Sequence, residues 1–82
     1  MGLNKELRIQ ILQYLRDAFL SYPSKIVRGH ELMEALVIDE YSLVSNLKLL
    51  KDLGYIKLLS ANEGVQSYVK ITDAGLKQIS TE

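Results

Sequence analysis

Four lysines are the residues of this sequence whose type and spacing point most directly to a chemical task. They follow one another in the second half of the chain: Lys48, Lys51, Lys57 and Lys70. Only Asp52 and Glu63 lie among them, whereas the preceding segment is acidic: Glu31, Glu34, Asp39 and Glu40. Lysine ammonium groups bind anions, and phosphates in particular. Although ten basic residues balance ten acidic ones over the whole chain, this local excess predicts contact with an anionic partner.

Catalytic chemistry has no comparable set of residues. The chain has no cysteine and a single histidine, His30. We find no nucleophile with a base, no paired carboxylates, no metal-ligand cluster and no glycine-rich phosphate loop. A lone histidine at the start of a predicted helix is more typical of a polar end residue than of a metal ligand. We therefore expect no enzyme, no cofactor and no metal site.

Length and composition favour one soluble domain over residues 1–82. Apolar residues make up 48% and charged residues 24% of the chain, which is an ordinary globular composition. A chain of this size buries roughly 60% of its unfolded surface. The absence of cysteine excludes disulfides. No apolar run approaches the roughly 18 residues of a membrane span, so we expect a cytoplasmic protein without membrane contact.

The first half of the chain predicts two helices around a short strand. Asn4 is a suitable cap for a helix over 5–21, in which apolar residues recur at a spacing of 3.6: Leu7, Ile11 and Leu15. Pro23 then indicates a turn. Lys25-Ile26-Val27 predicts a short strand, and His30 to Leu36 a brief helix.

A third helix is predicted over 40–53, with Asp39 as its N-cap and Gly54 as its left-handed C-cap. Its core side holds Leu43, Leu47 and Leu50. Only Val37-Ile38-Asp39 separates it from the preceding helix, which is short enough for a helix-turn-helix.

After Tyr55 the apolar period changes from helical to alternating, which predicts two strands. A turn at Glu63-Gly64 pairs position 58 with 69 and position 56 with 71. The same register sets Lys57 opposite Lys70 on the outer face. Like charges directly across a ribbon are unfavourable unless an anion lies nearby, so we interpret this pair as a phosphate contact. Thr72 then caps a last helix.

This order of helix, short strand, helix, tight turn, helix, β-hairpin and helix resembles the winged helix-turn-helix family. The exit from the third helix, Gly54-Tyr55-Ile56, and the segment Ile71-Thr72-Asp73-Ala74-Gly75 look like the two ends of the wing in bacterial and archaeal regulators similar to the MarR and PadR groups. The resemblance covers about residues 5–80. It implies an α+β fold that is mostly helical, with three helices, a β-hairpin wing and a C-terminal helix.

The function that the resemblance implies is binding of double-stranded DNA by a small transcriptional regulator, with helix 40–53 in the major groove and the 55–72 wing against the backbone. The candidate readers lie on the side of the third helix away from its core leucines: Tyr41, Ser42, Ser45, Asn46, Lys48 and Leu49. Asn46 suits adenine, and Ser42 and Ser45 suit bases or phosphates. Phosphate contacts fall to four lysines: Lys48, Lys51, Lys57 and Lys70.

Two apolar features of the sequence are also compatible with binding of a protein partner. Leu49, beside Tyr41, suits a thymine methyl group or a protein surface equally, so the alternative function is a winged-helix protein–protein interaction module without DNA binding. The first helix also carries a second apolar stripe: Ile9, Leu12, Phe19 and Leu20. Either other elements cover this stripe or a partner does. We predict a homodimer through helix 5–21 with these four residues at the interface, since small regulators pair to read two half-sites.

Overall fold

Over the residues that the structure describes, the fold is a small, mostly helical α+β arrangement of four helices and a three-stranded antiparallel sheet. The computed structural model describes residues 5–23, 26–59 and 68–80. In chain order the elements are α1 (Lys5–Ser21), β1 (Val27–Arg28), α2 (Gly29–Leu36), α3 (Glu40–Asp52), β2 (Ile56–Leu58), β3 (Tyr68–Ile71) and α4 (Asp73–Ser80). This order agrees with the predicted one. The predicted cap Asn4, the strand residue Lys25 and the turn at Glu63-Gly64 lie outside the described residues.

Helix α1 has its predicted bounds and lies against the core along one face: Leu7, Ile11 and Leu15. Leu12, which we predicted at a dimer interface, is also buried, with 3% of its surface exposed. It lines a cleft shared with Leu50 of α3 and Ile79 of α4. The prediction for Leu12 is wrong because α4, only eight residues long, packs against α1 and covers part of the second stripe.

Three residues connect α2 to α3, as the sequence predicts. Val37 ends α2 in the left-handed region, with φ 54° and ψ 55°. The N–H of Ile38 donates to the carbonyl of Met33 at 3.2 Å. Asp39 caps α3, since its carboxylate accepts a hydrogen bond from the backbone N–H of Ser42 at 3.1 Å. The reversal between the two helices is thus held by backbone geometry and one cap.

Helix α3 ends in a glycine turn that leads directly into the sheet. Gly54 has φ 83°, and its N–H donates to the carbonyl of Lys51 at 3.0 Å. The N–H of Tyr55 donates to the carbonyl of Leu50 at 3.0 Å. These two bonds make a Schellman motif. The predicted left-handed glycine is confirmed, and the helix itself ends at Asp52, one residue before the predicted bound.

The sheet has the order β1-β3-β2, with both neighbours of β3 antiparallel to it. The predicted register is confirmed: Ile56 pairs with Ile71, Lys57 with Lys70 and Leu58 with Val69. One face of the sheet is buried against the helices through four side chains: Val27, Ile56, Val69 and Ile71. The opposite, outer face carries Lys57 and Lys70, both exposed.

Helix α4 is fixed to the start of β2 by a cap and a close approach. The Thr72 hydroxyl accepts from the N–H of Gly75 at 3.1 Å and donates to the carbonyl of Gly54 at 2.7 Å. A Cβ atom on Gly75 would stand 2.3 Å from the carbonyl oxygen of Tyr55. Glycine is therefore needed here because the helix backbone lies directly against the strand entrance.

Candidate nucleic-acid interface

The solvent-facing side of α3 is narrower than the sequence predicts. Tyr41 is 72% exposed, and Lys48 and Lys51 are exposed as well. The other candidates on this helix are only partly exposed: Ser42, Ser45 and Leu49. An accessible strip thus runs from Tyr41 past Ser45 to Lys48, at spacings of four and three residues that keep the three side chains on one helix face.

Asn46 does not belong to this strip, and its prediction as an exposed base reader is wrong. The side chain is fully buried, with 0% exposure, and its Nδ2 donates to the backbone carbonyl of Ser42 at 2.6 Å. Position 46 lies three residues after Leu43 and four before Leu50, so helical geometry places it on the core face. That spacing was readable in the sequence, but the polarity of the amide suggested a surface residue.

The N-terminal end of α3 is acidic and internally bonded. The Ser42 hydroxyl donates to the second carboxylate oxygen of Asp39 at 2.7 Å. This bond and the one from the Ser42 N–H lower the pKa of Asp39, so the carboxylate stays ionised at neutral pH. Glu40 adds a second exposed acid. Negative charge at a helix N-terminus stabilises the helix, but it also repels anionic ligands from this end of α3.

Positive charge gathers instead on the outer face of the sheet. Lys57 and Lys70 are directly opposite each other on β2 and β3. In the part of the chain that the structure describes, neither lysine forms an ion pair with an acid, because the ion pairs found there are Arg16–Asp17 and His30–Glu34. Asp73 lines the same shallow depression as the two lysines without pairing with them. The two lysines therefore hold charge that is free to meet an anion.

Sequence reasoning missed a third cation on this face. Arg28 of β1 pairs with Tyr68 of β3, so its side chain points to the same side of the sheet as Lys70. The guanidinium carbon lies 5.2 Å from the centre of the Tyr68 ring, and Nη2 donates to the Tyr68 hydroxyl at 3.3 Å. The predicted strand at 25–27 stopped one residue before Arg28. Extending it by one residue would have identified this position.

Exposed apolar side chains occur at the α2–α3 turn and at the end of α1. Val37 is 89% exposed and stands four residues before Tyr41. Of the remaining predicted dimer residues, Leu20 is 68% exposed, while Ile9 and Phe19 are partly buried and pack against the core. The second stripe of α1 is therefore open to solvent mainly at its C-terminal end.

No family model matches the chain, and no curated protein matches it. The structure alone therefore defines the class of this protein: it is a small, mostly helical α+β protein with a tight α2–α3 turn and a cationic outer sheet face. Within the described ranges no helix is long and apolar enough to cross a membrane. The same ranges hold no group of three or more potential metal ligands.

Proposed function

We propose that this protein is a small winged helix-turn-helix DNA-binding protein that acts as a transcriptional regulator. The observation that carries the proposal is the pairing of Lys57 with Lys70 on the outer sheet face, without acidic partners among the described residues. The strand that bears Lys57 follows directly after α3, and α3 itself follows a three-residue turn. Two like charges held opposite each other favour an anionic ligand. The arrangement suits a helix in the major groove and a ribbon along the phosphate backbone.

In this proposal the roles on α3 differ along its length. Tyr41 and Ser45 face the bases, with Leu49 at the edge of the contact. Lys48 and Lys51 bind phosphates near the C-terminal half of the helix, where the acids of its first turn are distant. Ser42 contributes little to the groove because its hydroxyl proton is engaged by Asp39. Lys57 and Lys70 bind the backbone from the sheet.

The test is a titration of a short fluorescent DNA duplex by fluorescence anisotropy at salt concentrations from about 50 to 200 mM. We expect affinity to fall steeply with salt, with a log–log slope of about −0.9 for each phosphate neutralised. Lys48→Ala and Lys57→Ala should each weaken binding and reduce that slope by about one unit while leaving the melting temperature unchanged.

Asn46→Ala is the matched control on the same helix. Because Asn46 is buried and bonded to the Ser42 carbonyl, the variant should lower thermal stability and leave the salt slope as in the wild type. If the protein does not bind the DNA duplex even at the lowest salt concentration, the proposed function is wrong. Binding that does not respond to salt would refute the phosphate roles of the lysines.

The alternative function, a protein–protein interaction module without DNA binding, draws support from one observation. Val37 and Tyr41 place two highly exposed apolar side chains four residues apart at the α2–α3 turn, and exposed apolar patches mark protein interfaces. Tyr41→Glu should then abolish capture of a protein partner, in a chain that retains no duplex DNA. Loss of DNA affinity in the same variant supports the DNA-binding proposal instead.

We also propose a homodimer through α1, in a form revised by the burial of Leu12. The contact would involve Leu20 together with the neighbouring exposed side chains Tyr22 and Ile26, because these are the apolar groups at the end of α1 that the fold leaves uncovered. Sedimentation of the wild type and of Leu20→Glu tests it. A monomer at every concentration of the wild type would refute the dimer.

A further inference from the structure

Arg28 extends the positive charge of the outer sheet face across all three strands. Arg28, Lys70 and Lys57 stand on β1, β3 and β2 respectively. Neighbouring strands are about 4.8 Å apart, and diagonal neighbours on one face of a sheet are about 7–8 Å apart. The three cations therefore form a diagonal row of roughly 12 Å on the backbone scale.

Among the described residues, this row has no acidic partner at ion-pair distance. Asp73 stands at its rim, near the two lysines. Since like charges in a row repel, an anion with several charges lying along the row would stabilise it. A single phosphate is too small for such a row, whereas a nucleic-acid strand presents one phosphate after another.

Tyr68 holds Arg28 in place for such a contact. The ring faces the guanidinium at 5.2 Å and its hydroxyl accepts one N–H, from Nη2, at 3.3 Å. Arginine has five N–H donors in a planar fork that matches a phosphate. Because Tyr68 engages only one of these donors, the other N–H groups of the guanidinium stay available for a phosphate. The guanidinium is also already oriented, so binding does not have to order it.

We propose that Arg28, positioned by Tyr68, binds a backbone phosphate of the same DNA duplex that α3 reads, so that the DNA backbone lies diagonally across the outer face of the sheet from Lys57 to Arg28. This inference rests on the proposed function. It adds a phosphate site on β1, the strand farthest from α3 in the sheet order. The row begins close in sequence to the lysines of α3, since Lys57 follows Lys51 by six residues across the Gly54 turn.

The experiment measures duplex affinity and its salt slope for Arg28→Gln, with Arg8→Gln as the matched control. Arg8 lies on α1, which packs on the inner side of the sheet, and its substitution removes the same charge. We expect Arg28→Gln to weaken binding by at least about fivefold at low salt and to reduce the slope by about one unit, while Arg8→Gln matches the wild type.

The positioning role of Tyr68 has its own readout. Tyr68→Leu keeps all the charges, so affinity should fall with the salt slope unchanged, and Tyr68→Phe, which keeps the ring, should restore part of the affinity. Circular dichroism establishes that each variant is folded. If Tyr68→Leu does not fold, the comparison of Tyr68→Phe with the wild type carries the test, since loss of the hydroxyl alone must also weaken binding.

The outcomes separate the inference from the function on which it rests. A wild type that fails to bind duplex at low salt overturns both. Duplex binding that is weakened by Lys57→Ala but unaffected by Arg28→Gln overturns the Arg28 site alone. Equal weakening by Arg8→Gln overturns it too, because total charge would then explain the effect. A change in sedimentation of Arg28→Gln without a change in affinity indicates that an acidic surface of a second copy occupies the row, which also overturns the proposal.

Discussion

Two positions with positive φ flank α3 and give a paired prediction about the turn geometry that orients this helix. Val37 precedes the helix with φ 54°, and Gly54 follows it with φ 83°. Neither position involves packing: Val37 is 89% exposed, and a Cβ on Gly54 would meet no atom within 4 Å. Replacing Val37 with glycine and Gly54 with alanine therefore tests backbone strain with little change in side-chain contacts.

The expected change in the free energy of unfolding follows from two opposing contributions. An L-residue in the left-handed region costs about 1–2 kcal/mol, while glycine costs about 0.5–1 kcal/mol in conformational entropy. Val37→Gly should thus stabilise the fold by about 0.5–1 kcal/mol, and Gly54→Ala should destabilise it by a similar amount. In a domain of this size these changes shift the melting temperature by about 2–8 °C, upward for Val37→Gly and downward for Gly54→Ala.

The assay is urea unfolding followed by circular dichroism, with thermal melting as a second measure. We expect the midpoint to move in opposite directions while the dependence on denaturant stays constant. The double variant should lie near the wild type, since the two sites are at opposite ends of α3 and act independently. A Val37→Gly variant less stable than the wild type would refute the reasoning, because it would show that the valine side chain makes a contact that outweighs the strain of its backbone.

Three further predictions follow from single contacts. Tyr14 donates a hydrogen bond to the Glu31 carboxylate between α1 and α2. Because this pair is only partly buried and solvent screens it, Tyr14→Phe should cost about 0.5–1.5 kcal/mol in urea unfolding. That hydrogen bond and burial raise the pKa of Tyr14 from 10.0 to about 12. The stabilisation by Tyr14 is therefore complete below pH 10 and is lost as the pH rises towards 12. If the stability difference between the wild type and Tyr14→Phe stays the same from pH 10 to pH 12, this explanation is wrong. Gly75→Ala should lower the free energy of unfolding by about 1–3 kcal/mol, because its Cβ would meet the Tyr55 carbonyl at 2.3 Å; an unchanged denaturation midpoint would show that α4 can shift. Asp39→Asn keeps the cap but removes a negative charge, so duplex affinity at low salt should rise with little change in melting temperature, and weaker binding would mean that the carboxylate itself contacts the DNA.

Much of the fold is predictable from local signals in the sequence. The caps at Asp39 and Thr72 and the left-handed turn at Gly54 each depend on a few neighbouring residues, and the structure confirms all three. The strand register is predicted from two local signals together, since the alternating apolar residues decide which side chains share a face and the turn predicted at Glu63-Gly64 decides which positions pair. The structure confirms the resulting pairs. Helix bounds then follow within about two residues.

The candidate site was harder to predict because exposure depends on contacts between distant segments. Leu12 is covered by α4, which is more than 60 residues away along the chain. Arg28 reaches the cationic face only because β1 pairs with β3, forty residues later. Asn46 is a different case, since its helical position alone indicated the core face. The polarity of its amide indicates the surface, and the structure follows the helical position instead.

The separation of charge in this fold limits how DNA can dock. The N-terminal end of α3 carries Asp39 and Glu40, and a phosphate near them is repelled. The cations that we assign to phosphate contact lie elsewhere, Lys48 and Lys51 on the C-terminal half of α3 and Arg28, Lys57 and Lys70 on the outer sheet face. In the proposed complex the acidic end of the helix therefore lies over the groove, away from phosphates, and the DNA backbone lies along Lys48, Lys57 and the sheet. Total charge is zero, so affinity must depend on this orientation rather than on general attraction. A protein of this kind should bind non-specific DNA weakly, and its preference for particular sites should come from the short strip between Tyr41 and Lys48.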